Sequence, residues 1–205
     1  MTAKIITLSN KAQIYQLKIS LDHVKPPIWR RIQVKSNISL YTLHNIIQIA
    51  MGWTNSHMHD YRKGNIYYGM IEDEYEPMEE MLDEKKYKIN HVIQKIGDSI
   101  EYVYDFGDGW RHVLALEKIL HVEKGQQYPA CLTGKRNCPP EDCGGSYGYL
   151  ELIEAISNPG HEDHEEMKAW VGNNFDPEYF DKDEINEELA EISNNPNYEP
   201  GIGFE

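Results

Sequence analysis

The sequence predicts an α+β fold with a mostly antiparallel sheet, one early helix, and C-terminal helices packed against the sheet. Strand-like alternation of apolar and polar residues recurs up to residue 122, whereas apolar residues at helical spacing dominate after residue 146. Strands that come first and helices that come later indicate α+β rather than alternating βαβ units. We expect a single domain over residues 1–205, with a core at about 13–175 and an acidic helical extension at about 176–205.

The first elements should be two strands and a helix. Residues 15–21 alternate between apolar and polar side chains, which predicts a half-buried strand, and a returning strand is expected at about 28–34. Ser39 is suited to cap a helix with an apolar stripe over 40–50, and Gly52 should end that helix.

The later elements follow from the same periodicities. Strands are predicted for a pair running through Tyr68, for 100–106 and for 110–122, and helices for about 146–157, 162–171 and 183–192. Residues 71–84 carry eight acids and no base, so we expect an exposed loop there.

Charge is distributed unevenly along the chain. The net charge is −14, yet residues 1–63 hold nine Lys and Arg against two acids. This pattern is typical of solvated faces, and it also allows a basic face that meets an anionic ligand or a protein partner. The candidate basic residues are Arg30, Arg31, Lys35, Arg62 and Lys63. Non-specific DNA binding is not expected, because long-range repulsion would oppose phosphate contacts with so acidic a protein.

Location is suggested by what the sequence lacks. No apolar run approaches the ~18 residues of a membrane span, and the first ten residues do not resemble an export signal. Three cysteines fit a reducing compartment better than a disulfide framework. We therefore expect a cytoplasmic protein without a membrane partner.

The segment from Asp105 to His112 is unusually rich in glycine and carboxylates. Asp108 and Gly109 between two alternating runs predict a hairpin, in which Gly107 and Gly109 would hold positive φ. The alternative is a site for a divalent cation, with Asp105, Asp108 and His112 as ligands.

A second candidate metal site lies in the cysteine-containing loop. Cys131, Cys138 and Cys143 could hold zinc or another divalent metal, although their spacing matches no standard zinc motif. The available fourth ligands are His112, His161 and His164. The alternative is that the three thiols are small buried residues in a loop rich in proline and glycine.

Other candidate functional residues flank these motifs. Glu141 and Asp142 could act as metal ligands or as a general base beside Asp105, Asp108 and His112. His57 and His59 would face the same side of a strand, a geometry that suits a transition metal. A surface or cleft is predicted to include Trp53, His57, His59, Trp110 and Tyr147.

Four stretches of the chain carry a family resemblance. They are Trp53 with His57-Met58-His59-Asp60-Tyr61, Tyr104-Asp105-Phe106-Gly107-Asp108-Gly109-Trp110 with His112, Cys131 with Cys138-Pro139-Pro140-Glu141-Asp142-Cys143-Gly144-Gly145, and Trp170 with Phe175-Asp176-Pro177. Together they make the chain resemble the plasmid ORF-three-like family, some of whose members are labelled passenger proteins of insertion elements. The resemblance covers about residues 13–190. It implies an α+β domain associated with plasmid or mobile DNA, and it implies no particular reaction.

Two classes of function follow from these observations. A non-enzymatic recognition or adaptor domain is favoured, because no complete catalytic set is recognisable and the chain has 14 Tyr and four Trp for a binding surface. The alternative is a metal-dependent hydrolase, which could act on nucleic acid.

Overall fold

The structure, a computed structural model, describes residues 13–71, 81–195, 198 and 200. Within these residues it contains eight strands and five helices. The strands are β1 (Ile14–Leu21), β2 (Trp29–Lys35), β3 (His59–Lys63), β4 (Ile66–Gly69), β5 (Met81–Asp83), β6 (Ser99–Tyr104), β7 (Trp110–Leu120) and β8 (Ala130–Lys135). The helices are α1 (Leu40–Met51), α2 (Ile89–Val92), α3 (Gly145–Ser157), α4 (His164–Val171) and α5 (Lys182–Asn194).

All eight strands belong to one mixed sheet, in the order β5-β4-β3-β6-β7-β1-β2-β8. The β4–β5 pair is parallel, and the other neighbouring pairs are antiparallel. The predicted fold class is therefore wrong. The sheet is mixed, and α2 lies between β5 and β6, so the helices do not divide into one early helix and a C-terminal group. A four-residue helix is too short to leave a periodic apolar stripe in the sequence.

The predicted first helix is confirmed as α1. The Ser39 side chain accepts a hydrogen bond of 3.0 Å from the backbone N–H of Thr42, which caps the helix start. Gly52 ends the helix in the left-handed region at φ 89°, and its N–H donates to the carbonyl of Gln48. The strands predicted on either side of this helix are also present.

The acidic segment at 71–84 differs from the exposed loop that its charge predicts. Residues 72–80 lie outside the described part of the chain. Met81–Asp83 forms β5, and Glu84 is completely buried, so the prediction is wrong for this part. The buried carboxylate has a specific partner, because Oε2 of Glu84 lies 2.8 Å from Nε2 of His59.

A hydrophobic core joins the sheet to the helices. It contains apolar side chains from β1, β6, β7 and α1, and α5 contributes Leu189 and Ile192 to the same cluster. The predicted boundary between a core and an acidic extension at 176 stays a prediction. Among the described residues, no helix is both long and apolar enough to span a membrane.

The hairpin between β6 and β7 is confirmed, with Tyr104 paired to Trp110 across its end. The backbone N–H of Gly109 donates to the carbonyl of Asp105 at 2.6 Å and closes the turn. Positive φ is found at Gly109 (67°) and at Asp105 (55°). Gly107 is not among the residues with positive φ, so that part of the prediction is wrong.

Candidate functional site

Three loops that are distant in sequence meet beside the end of β6. They are the segment before β3, the β6–β7 turn, and the loop that precedes α3. Each contributes one side chain to a cluster of His57, Asp105 and Asp142, in which one ligand atom from each residue lies within 4.8 Å of the others. Nε2 of His57 is 3.1 Å from Oδ1 of Asp142 and 3.8 Å from Oδ2 of Asp105. The cluster joins two residues of the predicted sites, Asp105 and Asp142, with one of the predicted cleft residues.

The imidazole of His57 is close to both carboxylates without being hydrogen-bonded to either. Its Nε2 atom is shielded from solvent and has no hydrogen-bond partner. Two ligands of one ion at about 2.1 Å lie roughly 3.0–3.4 Å apart, so the separation of His57 from Asp142 suits shared coordination. The side chain of Asp105 is 10% exposed and that of Asp142 is 72% exposed, which leaves one side of the cluster open to solvent.

The two carboxylates are presented by unusual backbone conformations. Asp105 (φ 55°) and Asp142 (φ 59°) both lie in the left-handed region, which short polar side chains tolerate better than most. Oδ1 of Asp105 accepts a hydrogen bond of 2.8 Å from the N–H of Gly107. This bond leaves Oδ2 as the oxygen that faces His57.

Glu141 connects the three loops although it is not a member of the cluster. Its Oε1 accepts hydrogen bonds from the hydroxyl of Tyr104 at 2.6 Å and from the N–H of Thr54 at 3.1 Å. Its Oε2 accepts from the hydroxyl of Thr54. Burial, and then the neighbouring Glu141 carboxylate, raise the pKa of Tyr104, which keeps the phenol protonated as a donor. The hydrogen bonds of the Glu141 carboxylate therefore hold the three loops together.

Aromatic side chains pack against the junction of the three loops. The indole of Trp53 stacks on Tyr104 with ring centroids 4.9 Å apart, and its Nε1 donates to the carbonyl of Pro139 at 3.0 Å. Trp53 and Trp110 are 4% and 2% exposed. Both indoles are therefore buried, and Trp53 borders a cavity, so the predicted surface or cleft around them stays a prediction. Tyr147 is 83% exposed, as a surface role requires.

A second junction places the β6–β7 turn against the start of α3. Oδ2 of Asp108 accepts a hydrogen bond of 3.2 Å from the N–H of Gly144. A Cβ on Gly145 would lie 2.5 Å from the carbonyl oxygen of Asp108, so the two backbones approach more closely than any other residue would allow. Asp108 therefore braces the loop.

A model of the plasmid pRiA4b ORF-3-like protein family matches residues 13–184 of the chain. The chain belongs to this family. It is 39% identical over 162 residues to the uncharacterized protein y4hQ of Sinorhizobium fredii, covering 78% of this chain and 82% of that protein. It is also similar to MM3350 of Methanosarcina mazei Go1, a protein of unknown function with a crystal structure. That similarity has a TM-score of 0.78 and 38% identity, and it covers 84% of this chain and 97% of MM3350.

In this member of the pRiA4b ORF-3-like family, the predicted cation site of Asp105, Asp108 and His112 does not form. His112 is completely buried on β7, beside the backbone of Tyr102 and of Trp110. Burial lowers the pKa of His112 to about 4, so the ring is neutral near pH 7. His112 packs edge-on against Trp53, with ring centroids 5.1 Å apart. It is a core residue.

The three cysteines also do not assemble into a metal site. Among the described residues, the cluster of His57, Asp105 and Asp142 is the one group of three potential ligands within 4.8 Å. Sγ of Cys138 contacts Sδ of Met51 at 3.7 Å, and burial raises the pKa of Cys131 and of Cys138 to about 11. Burial and the carboxylates of Asp108 and Asp142 raise the pKa of Cys143 to about 12. Cys131 and Cys138 match the alternative of small buried residues, whereas Cys143 is only partly buried.

The remaining candidate histidines have local partners. Nδ1 of His164 lies 2.8 Å from the carbonyl oxygen of Ala155, and Nδ1 of His161 accepts from the N–H of Asp163. These contacts anchor the start of α4.

His59 does not act together with His57. It is buried at the start of β3, where its ring stacks on that of His44 with centroids 3.5 Å apart and an interplanar angle of 4°. Nε2 of His44 is 2.7 Å from Oδ1 of Asn55, so this buried pair supports the loop that presents His57. Burial, and then His59, lower the pKa of His44 well below its ordinary value. Glu84 is the partner of His59. Sequence reasoning does not find this partner, because Glu84 belongs to a run of acids whose composition predicts an exposed loop.

The three arginines of the predicted basic face form hydrogen bonds within the chain. Arg30 is 3% exposed. Arg31 makes two hydrogen bonds to the Glu117 carboxylate, at 2.6 and 2.9 Å. Arg62 makes the same kind of pair with Asp60, at 2.8 and 3.0 Å. Arg31 and Arg62 therefore already have carboxylate partners within the chain.

Proposed function

We propose that the protein binds one divalent metal ion between His57, Asp105 and Asp142 and uses it as a metal-dependent hydrolase. The observation that carries the proposal is the convergence of one imidazole and two carboxylates, from three separate motifs, within 4.8 Å. The unsatisfied and solvent-shielded Nε2 of His57 supports it, because an ion would supply the missing partner.

The donor set indicates the kind of ion. Imidazole nitrogen suits zinc, iron and related transition metals, and carboxylate oxygen suits manganese and magnesium. One imidazole with two carboxylates therefore favours Zn²⁺ or Mn²⁺. Three protein ligands leave coordination positions for water or substrate, as in catalytic rather than structural zinc sites.

A bound ion would supply a Lewis acid and a water molecule of lowered pKa. The role of the protein is to hold the two carboxylates and the imidazole in place on the solvent-open side of the β6–β7 turn.

Metal titration of the purified chain, stripped with EDTA, tests the proposal. We expect calorimetry with Zn²⁺ or Mn²⁺ to give one ion per chain. His57→Ala and Asp142→Asn should each weaken binding at least tenfold. The matched control is Asp183→Asn, which removes a carboxylate that is 77% exposed on α5 and should leave the affinity unchanged. A wild-type chain that binds neither ion would refute the metal site.

Hydrolysis needs its own measurement. Turnover of chromogenic phosphodiester, ester and amide probes should require the ion and should fall with His57→Ala. Stoichiometric binding of the ion without metal-dependent turnover of any probe would refute the hydrolase and leave a metal-binding protein.

A recognition or adaptor role is the second candidate. Exposed apolar side chains on the helices favour it. Tyr147 and Leu150 lie three residues apart on α3 and are 83% and 45% exposed, and Trp170 on the neighbouring α4 is 50% exposed. If these residues bind a protein partner, Tyr147→Ser with Leu150→Ser should abolish capture of that partner while metal affinity is retained.

Three further expectations stay predictions. They are a cytoplasmic location, an association with plasmid or mobile-element genes, and an anionic ligand on the basic N-terminal third. Localisation of a tagged chain would test the first of them. The third is weakened by the pairing of Arg31 with Glu117 and of Arg62 with Asp60.

A further inference from the structure

A groove leads away from the candidate metal site along the end of α1. It consists of two adjoining cavities that share Met51, Gly52 and Asn137 as lining residues. The first cavity, of ≈ 290 Å³, is bordered by Glu141, next to the proposed ligand Asp142. The second, of ≈ 200 Å³, continues to α5. A ligand in the groove would therefore have one end beside the proposed metal centre.

The groove has apolar wall along its whole length, and its α5 end also carries three acidic residues. Apolar surface comes from Phe175 in the first cavity and from Phe180 in the second. The second cavity is also lined by the acidic residues Asp181, Glu184 and Glu188, of which Asp181 caps the start of α5. An apolar wall followed by carboxylates suits a side chain with an aliphatic stem and a cationic head.

Arg30 is the one Lys or Arg among the described residues that line the groove, and its donors are already occupied. Nε donates to the carbonyl of Ala50 at 2.8 Å, at the C-terminal end of α1. Nη1 donates to the carbonyls of Trp29 and Lys135, and the guanidinium lies 4.9 Å from the ring centroid of Phe180. Arg30 therefore does not pair with the groove carboxylates.

The carboxylate of Glu188 is the clearest position for an incoming cation. No ion pair involving Glu188 is found within the described part of the chain. Partial burial raises its pKa, with no cation opposing the shift. Lys182, the first residue of α5, is paired with Asp183 at 2.8 Å. Glu188 is exposed on α5, so a cation supplied by a ligand could pair with its carboxylate.

We propose that the groove binds a cationic peptide segment, with lysine or arginine heads at Glu184 and Glu188 and aliphatic stems on Phe180. Charge complementarity selects the occupant, because the acidic end of the groove offers no free cation for an anionic ligand. The assignment of this segment as the substrate rests on the proposed hydrolase function, since Glu141 at the other end adjoins the proposed metal ligand Asp142. Binding of the peptide does not require the ion.

Fluorescence anisotropy in the presence of EDTA tests the groove separately from the metal. The probe is a labelled hexapeptide with two lysines and one phenylalanine, compared with the same peptide acetylated on both lysines. We expect the unmodified peptide to bind, and the double variant Glu184→Gln with Glu188→Gln to weaken binding about tenfold. The matched control is Glu187→Gln, because Glu187 is exposed on the same helix but does not line the groove. This variant should bind as the wild type does.

Several results would overturn the assignment. If the acetylated peptide binds equally well, or if the double variant keeps the wild-type affinity, the carboxylates do not recognise the lysine charges. Spermidine that binds as tightly as the peptide would identify a small polyamine instead. Addition of Zn²⁺ or Mn²⁺ to the bound peptide, followed by mass spectrometry, then tests the substrate role. If the peptide binds but the metal-loaded chain does not cleave it, the substrate role is refuted and the binding site stands. If the chain binds the peptide but binds no metal ion, only the proposed hydrolase function is refuted.

Discussion

The hydroxyl of Tyr104 donates a hydrogen bond of 2.6 Å to Oε1 of Glu141, which ties the end of β6 to the loop that carries Asp142. The same carboxylate accepts from Thr54, in the loop that carries His57. Glu141 therefore fixes the distance between two proposed metal ligands without contacting the ion. A carboxylate placed in this way resembles the outer-shell partners that orient ligands in metal sites.

Removal of the Tyr104 hydroxyl should loosen the proposed metal site more than it harms the fold. Tyr104→Phe keeps the ring that stacks on Trp53 and removes the donor to Glu141. We expect metal affinity to fall about tenfold, as is typical of outer-shell changes. Thermal unfolding should show a loss of about 1–2 kcal/mol for the missing charge-assisted hydrogen bond.

The control for this prediction is Tyr147→Phe, which removes the same group from a side chain that is 83% exposed. It should change neither the affinity nor the stability. If Tyr104→Phe and the control bind the ion equally well, Glu141 does not position the ligands.

Acidification should destabilise the protein through His112 at mildly acidic pH. Burial lowers the pKa of His112 in the folded state from 6.5 to about 4, so the unfolded chain takes up a proton first as pH falls. The stability from this group is complete above about pH 6.5 and declines towards pH 4, by about 3 kcal/mol for the fully buried ring. His44, whose pKa is also lowered, contributes in the same direction.

His112→Leu should reduce this decline, because it removes the buried ring that takes up the proton on unfolding. Its stability at pH 7 should change little, since the ring is neutral there and an apolar side chain keeps much of its packing. Denaturant unfolding at several pH values between 7 and 4 makes the comparison. A decline of the same size in both proteins would contradict the assignment to His112.

A second acid-dependent loss is expected at lower pH, from the pair of Arg31 and Glu117. The hydrogen bonds from Arg31 lower the pKa of Glu117 from 4.5 to about 2. Because the folded-state pKa is depressed, the stabilisation is present above about pH 4.5 and is lost as pH falls towards 2. Glu117→Gln should remove about 1 kcal/mol at pH 7 and flatten the unfolding curve in that interval. Glu187→Gln, which changes an exposed acid, should keep the wild-type pH dependence.

The elements that could be predicted from the sequence are those with local causes. Ser39 and Gly52 bound α1 through hydrogen bonds to residues within four positions, and such signals are visible in the chain itself. The burial of Glu84 depends on His59 across the sheet, so it left no mark in an acidic segment. The grouping of His57 with Asp142 has the same origin. Each motif is unusual in composition, but only the fold decides which of the side chains in these motifs meet.

The close approach of Gly148 to Cys143 makes the loop before α3 sensitive to a single methyl group. A Cβ on Gly148 would lie 1.8 Å from the carbonyl oxygen of Cys143, which is a backbone atom that cannot rotate away. Gly148→Ala should therefore displace the loop that carries Asp142 and Glu141. We expect a loss of about 2 kcal/mol or more in unfolding free energy, together with loss of metal binding.

Gly160→Ala is the matched comparison, because its added Cβ would meet only the side-chain oxygen of Asn158, at 3.4 Å. That variant should lose less than 1 kcal/mol and bind the ion normally.

Gly109→Ala tests the contribution of backbone strain alone. Gly109 has φ 67° with open space around its Cβ position, so the substitution should lower the unfolding free energy by about 1 kcal/mol. Chemical denaturation and metal titration of the three variants give the order directly. If Gly148→Ala were no more damaging than Gly109→Ala, the loop would be free to move, and the distance between His57 and Asp142 would not be fixed by its packing against α3.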